Sequence, residues 1–195
     1  GSRVFDTTRP LQQQALDQLQ TLLEQALQKP RRFSFWRSRN PRGAYLRGLP
    51  GRGKTMIMDA LYHETRGQTK RIHYHQFLLD LHLNLNRSEH RNSEFLVPLA
   101  EKVARQCRIF CLDEFHLHDA ADARLMERFL EVLFNNRVFV VLTSNYQPEN
   151  LLPDPFLHHH ALGTIAAIRK AMDEITLEGG QDYRYRADDK HSYYF

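Results

Sequence analysis

Between residues 11 and 26 apolar side chains recur at Leu11, Ala15, Leu19, Leu22 and Ala26, the three-to-four spacing that lays a single stripe along a helix. Asp6 and Thr7 are natural N-caps ahead of the stripe and Pro30 closes it, so a helix is predicted to about Gln28. Beyond it, short apolar runs alternate with helical periodicities. Strands are predicted at residues 44–48, 71–74, 108–112, 138–143 and 174–177, and helices at 54–64, 77–85, 94–106, 120–134 and 165–172. Pro98 stands against the interior of the fourth of these six helices, counting from the first. Regular alternation of strand and helix implies a parallel sheet with helices on both faces.

Composition narrows this picture. At 195 residues and 42% apolar, the chain can bury the core of one ordinary domain. It divides into an N-terminal helix with a basic, aromatic loop (1–43), a core (44–180) and a tail (181–195). Its longest apolar runs, such as 138–142, fall far short of the roughly 20 residues that cross a bilayer. No secretory pattern opens the chain, and Gly1-Ser2 reads as the remnant of a cleaved tag, so a cytoplasmic location is the expectation. Cys107 and Cys111, placed on one strand, would stand about 13 Å apart and out of reach of a disulfide; they read as buried structural thiols. The net charge of +4 is uneven, because Lys29, Arg31, Arg32, Arg37, Arg39 and Arg42 form a run without an acid. Phe33, Phe35 and Trp36 interleave with them, a composition suited to nucleic acid, a membrane surface or an acidic partner, or else to a solvated loop with its aromatics tucked inward.

The chemistry concentrates at three points. Gly48-Leu49-Pro50-Gly51-Arg52-Gly53-Lys54-Thr55 matches GxxxxGKT between a predicted strand and a predicted helix, the context a phosphate-binding P-loop requires. Backbone amides and the helix N-terminus would cradle the phosphates, Lys54 would reach the β- and γ-phosphates of ATP, and Thr55 would offer its hydroxyl to Mg2+, with Met56 completing the nucleotide-binding stretch. Fifty-nine residues after the lysine, the apolar strand 108–112 ends in Asp113-Glu114. Asp113 would hold Mg2+ through water, and Glu114 would deprotonate the attacking water. The second acid points to hydrolysis rather than kinase chemistry. The next strand ends in Thr143-Ser144-Asn145, placing Asn145 beside both earlier sites to sense the γ-phosphate, where the alternative role is a turn before Pro148. Lys54, Glu114 and Asn145 are therefore the catalytic candidates. The expected fold is α/β, a P-loop NTPase three-layer sandwich with a parallel sheet of the AAA+ type.

GRGKTMIMD (51–59), RIHYHQFLLDLH (71–82), CLDEFHLHDAADA (111–123), LTSNYQPENL (142–151) and GGQDYR (179–184) thread most of the chain in order. Together they resemble the AFG-one-like, or LACE-type, AAA+ ATPases. The resemblance implies an ATP-dependent homo-oligomer and, in bacteria, association with the FtsZ division ring near the inner membrane. It also implies a lid domain that is not encoded in this chain. Where the family tends to place an arginine before Phe and Pro, this chain reads His158-His159-His160-Ala161-Leu162-Gly163, leaving Arg124, Arg128, Arg137 and Arg169 as candidate arginine fingers. His73 and His75, two apart on a predicted strand, would share a face near the inner surface of an oligomer, and His116 and His118 would do the same if extended; neither pair has the companions a zinc site needs. A nucleic-acid motor or loader is the alternative function, resting on the basic segment.

Overall fold

The computed structural model describes residues 10–27, 42–87 and 96–177. Its elements are α1 (Pro10–Leu27), β1 (Gly43–Arg47), α2 (Lys54–Glu64), β2 (Thr69–His73), α3 (Tyr74–Arg87), α4 (Leu96–Gln106), β3 (Ile109–Asp113), α5 (Ala120–Asn135), β4 (Phe139–Ser144), α6 (Leu162–Ala171) and β5 (Met172–Thr176). The five strands form one sheet of order β2-β3-β4-β1-β5, and every neighbouring pair is parallel.

Because successive side chains of a strand point to opposite faces, each central strand feeds two cores. Ala44 and Leu46 of β1, Ile109 and Cys111 of β3 and Phe139 and Val141 of β4 pack with Ala15, Leu19 and Leu23 of α1 and Ile57, Met58 and Leu61 of α2. Tyr45, Phe110, Leu112, Val140 and Leu142 face the opposite core, shared with α3, α4, α5 and α6. Burial on both faces is why β3 and β4 read as continuous apolar runs without alternation. In the larger core the rings of Phe77, Phe110 and Phe129 meet with centroids 4.7–6.1 Å apart, and truncating a ring of this kind costs about 3–5 kcal/mol. The architecture is the expected three-layer sandwich.

Several boundaries and faces differ from the sequence reading. The stripe of α1 holds at Ala15 and Leu19, which are buried, and at Leu22 and Ala26, which pack against the same core, but not at its start: Leu11 is 42% exposed while Gln12 is buried, and Leu23 joins the buried face. Tyr74 does not end β2 but opens α3, fully buried with its ring against Phe115 at 5.1 Å. That turn separates the histidines, His73 closing β2 and His75 lying on α3, so they do not share a strand face. His116 and His118 do meet, their rings 4.1 Å apart in the segment after β3. Cys107 precedes β3, its thiol donating to the Val103 carbonyl at 3.4 Å, so the two cysteines are not on one strand. Both thiols are free, and burial raises the pKa of each, as befits structural residues. Pro98 falls in the first turn of α4 as described, where a missing N–H costs little. The caps Asp6 and Thr7, most of the basic segment and the tail lie outside the described residues.

Candidate nucleotide-binding site

All the strands end at the same edge of the sheet, and three of the turns that leave them carry the polar groups. After β1 the chain turns through Gly48, whose N–H donates to the Ser144 carbonyl at 3.1 Å. Gly53 then caps α2 in the left-handed region (φ 92°), and no side chain bonds the amides that follow. The left-handed backbone favours a glycine here, and a Cβ, which would come within 2.3 Å of the Gln12 amide, would also push that side chain aside. The uncapped amides of Lys54, Thr55 and Met56 and the helix's partial positive charge make this an anion cradle.

Lys54 Nζ bonds the carbonyls of Gly48 and of Leu49, the latter at 3.0 Å, and lies 2.8 Å from Asn145 Oδ1 just past β4. Partial burial lowers its pKa, and the nearby Glu114 carboxylate works in the opposite direction. Asp113 is the last residue of β3, its side chain only 7% exposed. Glu114 follows in the left-handed region (φ 58°), its N–H bonded to Thr143 Oγ1 at 3.0 Å. The next N–H, of Phe115, reaches the Thr143 carbonyl at 2.7 Å, and Ser144 Oγ donates to the Phe115 carbonyl at 2.7 Å. These bonds send Phe115 into the core and leave Glu114 exposed beside the lysine. The structure thus brings together Lys54, Asp113, Glu114 and Asn145 from three adjacent strands. Thr55 and Met56 are exposed at the start of α2, as are Leu49, Pro50, Gly51 and Arg52 in the turn before it.

The carboxylate of Asp113 and the hydroxyl of Thr55 are hard oxygen donors of the kind Mg2+ accepts while retaining water and phosphate oxygens. Two protein ligands suffice for such an ion, and among the described residues no group of three or more His, Cys, Asp or Glu converges on one point.

Two contributors are given no role by the sequence. Gln12, buried on α1, donates from Nε2 to the Arg52 carbonyl within the P-loop at 3.2 Å. Arg71 on β2 donates from Nε to Asp113 Oδ2 at 2.7 Å and from Nη1 to Asp59 on α2. The available signals were a polar residue one step off an apolar stripe and an unpaired basic residue in a predicted strand, both too common to single out. The finger candidates now separate. Arg169 is held by Glu149 through two bonds of 2.6 Å and by Glu174 at 2.7 Å. Arg137 precedes β4, at the sheet edge opposite Lys54. Arg124, on α5, stands close enough to His160 to help lower its pKa, after desolvation and His159.

A phosphate cradle after the strand between β4 and β5, paired acids after β3 and a polar residue after β4 define a P-loop NTPase core of the AAA+ type. The same fold occurs in a putative primosome component from Streptococcus pyogenes (TM-score 0.59, 20% identity, covering 91% of this chain and 85% of that one) and in the DnaC helicase loader (0.54, 17%, 89% and 94%). The family model for AFG1-like ATPases matches residues 5–195, and the chain belongs to that family. It is 33% identical over 146 residues to the cell division protein ZapE of Escherichia coli K12, covering 74% of this chain and 39% of that protein. It is 31% identical over 157 residues to lactation elevated protein 1 homolog B of Danio rerio, covering 75% and 31%. The chain therefore spans less than two fifths of these relatives.

Proposed function

We propose that the carboxyl edge of the sheet binds ATP with Mg2+ and hydrolyses it. The observation that supports this best is the contact of 2.8 Å between Lys54 Nζ and Asn145 Oδ1, with Glu114 beside the lysine. Lys54 neutralises the β- and γ-phosphates, the amides from Gly51 to Met56 hold them, and Asn145 orients the γ-phosphate or the water that attacks it. Thr55 through its hydroxyl and Asp113 through water would hold a magnesium ion, which would supply positive charge to the phosphates when bound. Glu114 takes the proton of the attacking water. Its left-handed backbone, pinned to Thr143, keeps the carboxylate out of the core and at the site.

By likeness to the cell division protein ZapE, we infer that this ATPase works in cell division; the family resemblance extends that reading to an ATP-dependent homo-oligomer acting on the FtsZ ring at the cytoplasmic face. No described helix is long and apolar enough to cross a membrane. Glu114→Gln tests the chemistry: it is expected to keep ATP affinity within about twofold while cutting steady-state turnover by ~10² or more. Unchanged turnover would mean that another group activates the water. Co-sedimentation with FtsZ polymers, with ATP and without nucleotide, tests the client. Equal pelleting without FtsZ removes it.

A further inference from the structure

Thr55 and Asp113, the two magnesium donors, sit on different elements, and one side chain links those elements. Thr55 and Asp59 are four residues apart on α2 and so share a face of that helix. Asp59 accepts a hydrogen bond from Arg71 Nη1, and Asp113 Oδ2 accepts one from Arg71 Nε at 2.7 Å. The guanidinium is well sheltered, its side chain 18% exposed, while Asp59 at 56% lies toward solvent. A planar fork with donors on separate nitrogens can hold two carboxylates at once in a set geometry, which a lysine cannot.

We propose that Arg71 is a positioning residue for the magnesium site, holding the Asp113 carboxylate by one oxygen and tying it, through Asp59, to the helix face that carries Thr55. The proposal rests on the magnesium-ATP reading above. With Arg71 in place, Asp113 meets the cation already oriented and at a set distance from the P-loop helix. Without it, a nearly buried carboxylate loses its cation and the tie to α2 goes with it. Losing a group that orients a metal ligand typically costs about 10- to 100-fold in metal affinity. Phosphate binding by the P-loop amides and Lys54 does not pass through Arg71, so nucleotide affinity without metal should be spared.

The test measures binding rather than turnover. The affinity of a fluorescent N-methylanthraniloyl ATP is measured in EDTA and across a magnesium series, for the parent, Arg71→Met, Arg71→Lys, Asp59→Asn and Asp113→Asn. Expected are parent-like affinity in EDTA for Arg71→Met, a magnesium requirement raised about tenfold or more, and partial recovery in Arg71→Lys. Asp59→Asn, a change at an exposed acid that spares the fold, should raise the requirement by a smaller factor. It serves as the deciding variant if Arg71→Met does not fold. A parent-like magnesium requirement in folded Arg71→Met, or in Asp59→Asn, overturns the inference while leaving the magnesium reading intact. A parent whose nucleotide affinity ignores magnesium, or an Asp113→Asn variant with the parent's full response, instead removes the magnesium reading, and the inference falls with it.

Discussion

The two edges of the sheet are made by the same strands and differ in almost everything else. At the carboxyl edge, side chains cross between elements: Lys54 to Asn145, Arg71 to Asp113 and Asp59, Gln12 to the P-loop, Ser144 to Phe115. At the amino edge the joins among the described residues are mainly backbone to backbone, such as Arg108 N–H to the Gln68 carbonyl at 2.8 Å and Phe139 N–H to the Arg108 carbonyl at 2.9 Å. That edge nevertheless borders an open cleft of about 730 Å³ lined by Gln68, Arg105, Cys107, Arg108 and Arg137. Room alone does not make a site. In a parallel βαβ layout the helices begin near the carboxyl edge, where their free amides and partial positive charge draw phosphate, and end near the amino edge, where free carbonyls draw cations. The positive charges of Arg105, in the last turn of α4, and Arg137, two residues past α5, fall at that edge. Arg42 does the same, its guanidinium donating to the Phe134 carbonyl at the end of α5.

This contrast can be broken or sharpened by substitution. The largest effect is expected from Lys54→Ala, which removes the charge central to the carboxyl edge and should weaken ATP binding by ~10² or more, since a hydrogen bond to a charged group is worth roughly 1.5–3 kcal/mol and this lysine reaches two phosphates. An affinity within threefold of the parent, by titration calorimetry, would show that the P-loop amides suffice. Gln12→Ala should cost less, about fivefold in ATP affinity, corresponding to one hydrogen bond of ~1 kcal/mol, with Gln12→Glu weaker again because a carboxylate cannot donate and sits near the phosphates. Parent-like binding by both would make α1 a bystander to the cradle. The smallest effect belongs to Arg137→Gly. Arg137 and Glu114 have nearly the same left-handed backbone, φ 60° and 58°, one at each edge. Relief of that strain, net of glycine's extra entropy, should raise stability by about 0.5 kcal/mol and leave ATP affinity untouched. Urea unfolding that shows a loss, or a change in nucleotide affinity, would mean that the amino edge has a role in the site.

Much of the site was legible because its parts are local in sequence. Glycines, lysine and threonine within eight residues specify the P-loop turn, and an apolar run ending in Asp113-Glu114 marks the edge of a buried strand. Asn145 was readable by position, since parallel strands bring their ends into line. Gln12 and Arg71 were not, because their partners lie 40 and 42 residues away and a lone polar residue carries no spacing rule. The single miss on the α1 stripe has the same origin: Leu11 fits the stripe better by composition, yet Gln12 faces inward to bond the Arg52 carbonyl.

The chain's own pattern determined the element order, the parallel α/β class and the polar residues at the ends of β1, β3 and β4, because periodicity and motif spacing depend on neighbours along the sequence. Packing alone decided that Gln12 rather than Leu11 turns inward on α1, where β2 gives way to α3 at Tyr74, which arginine is tied down by Glu149 and Glu174, and which one grips Asp113. Those outcomes depend on side chains meeting across the sheet, where distance in space rather than separation in sequence sets the energy.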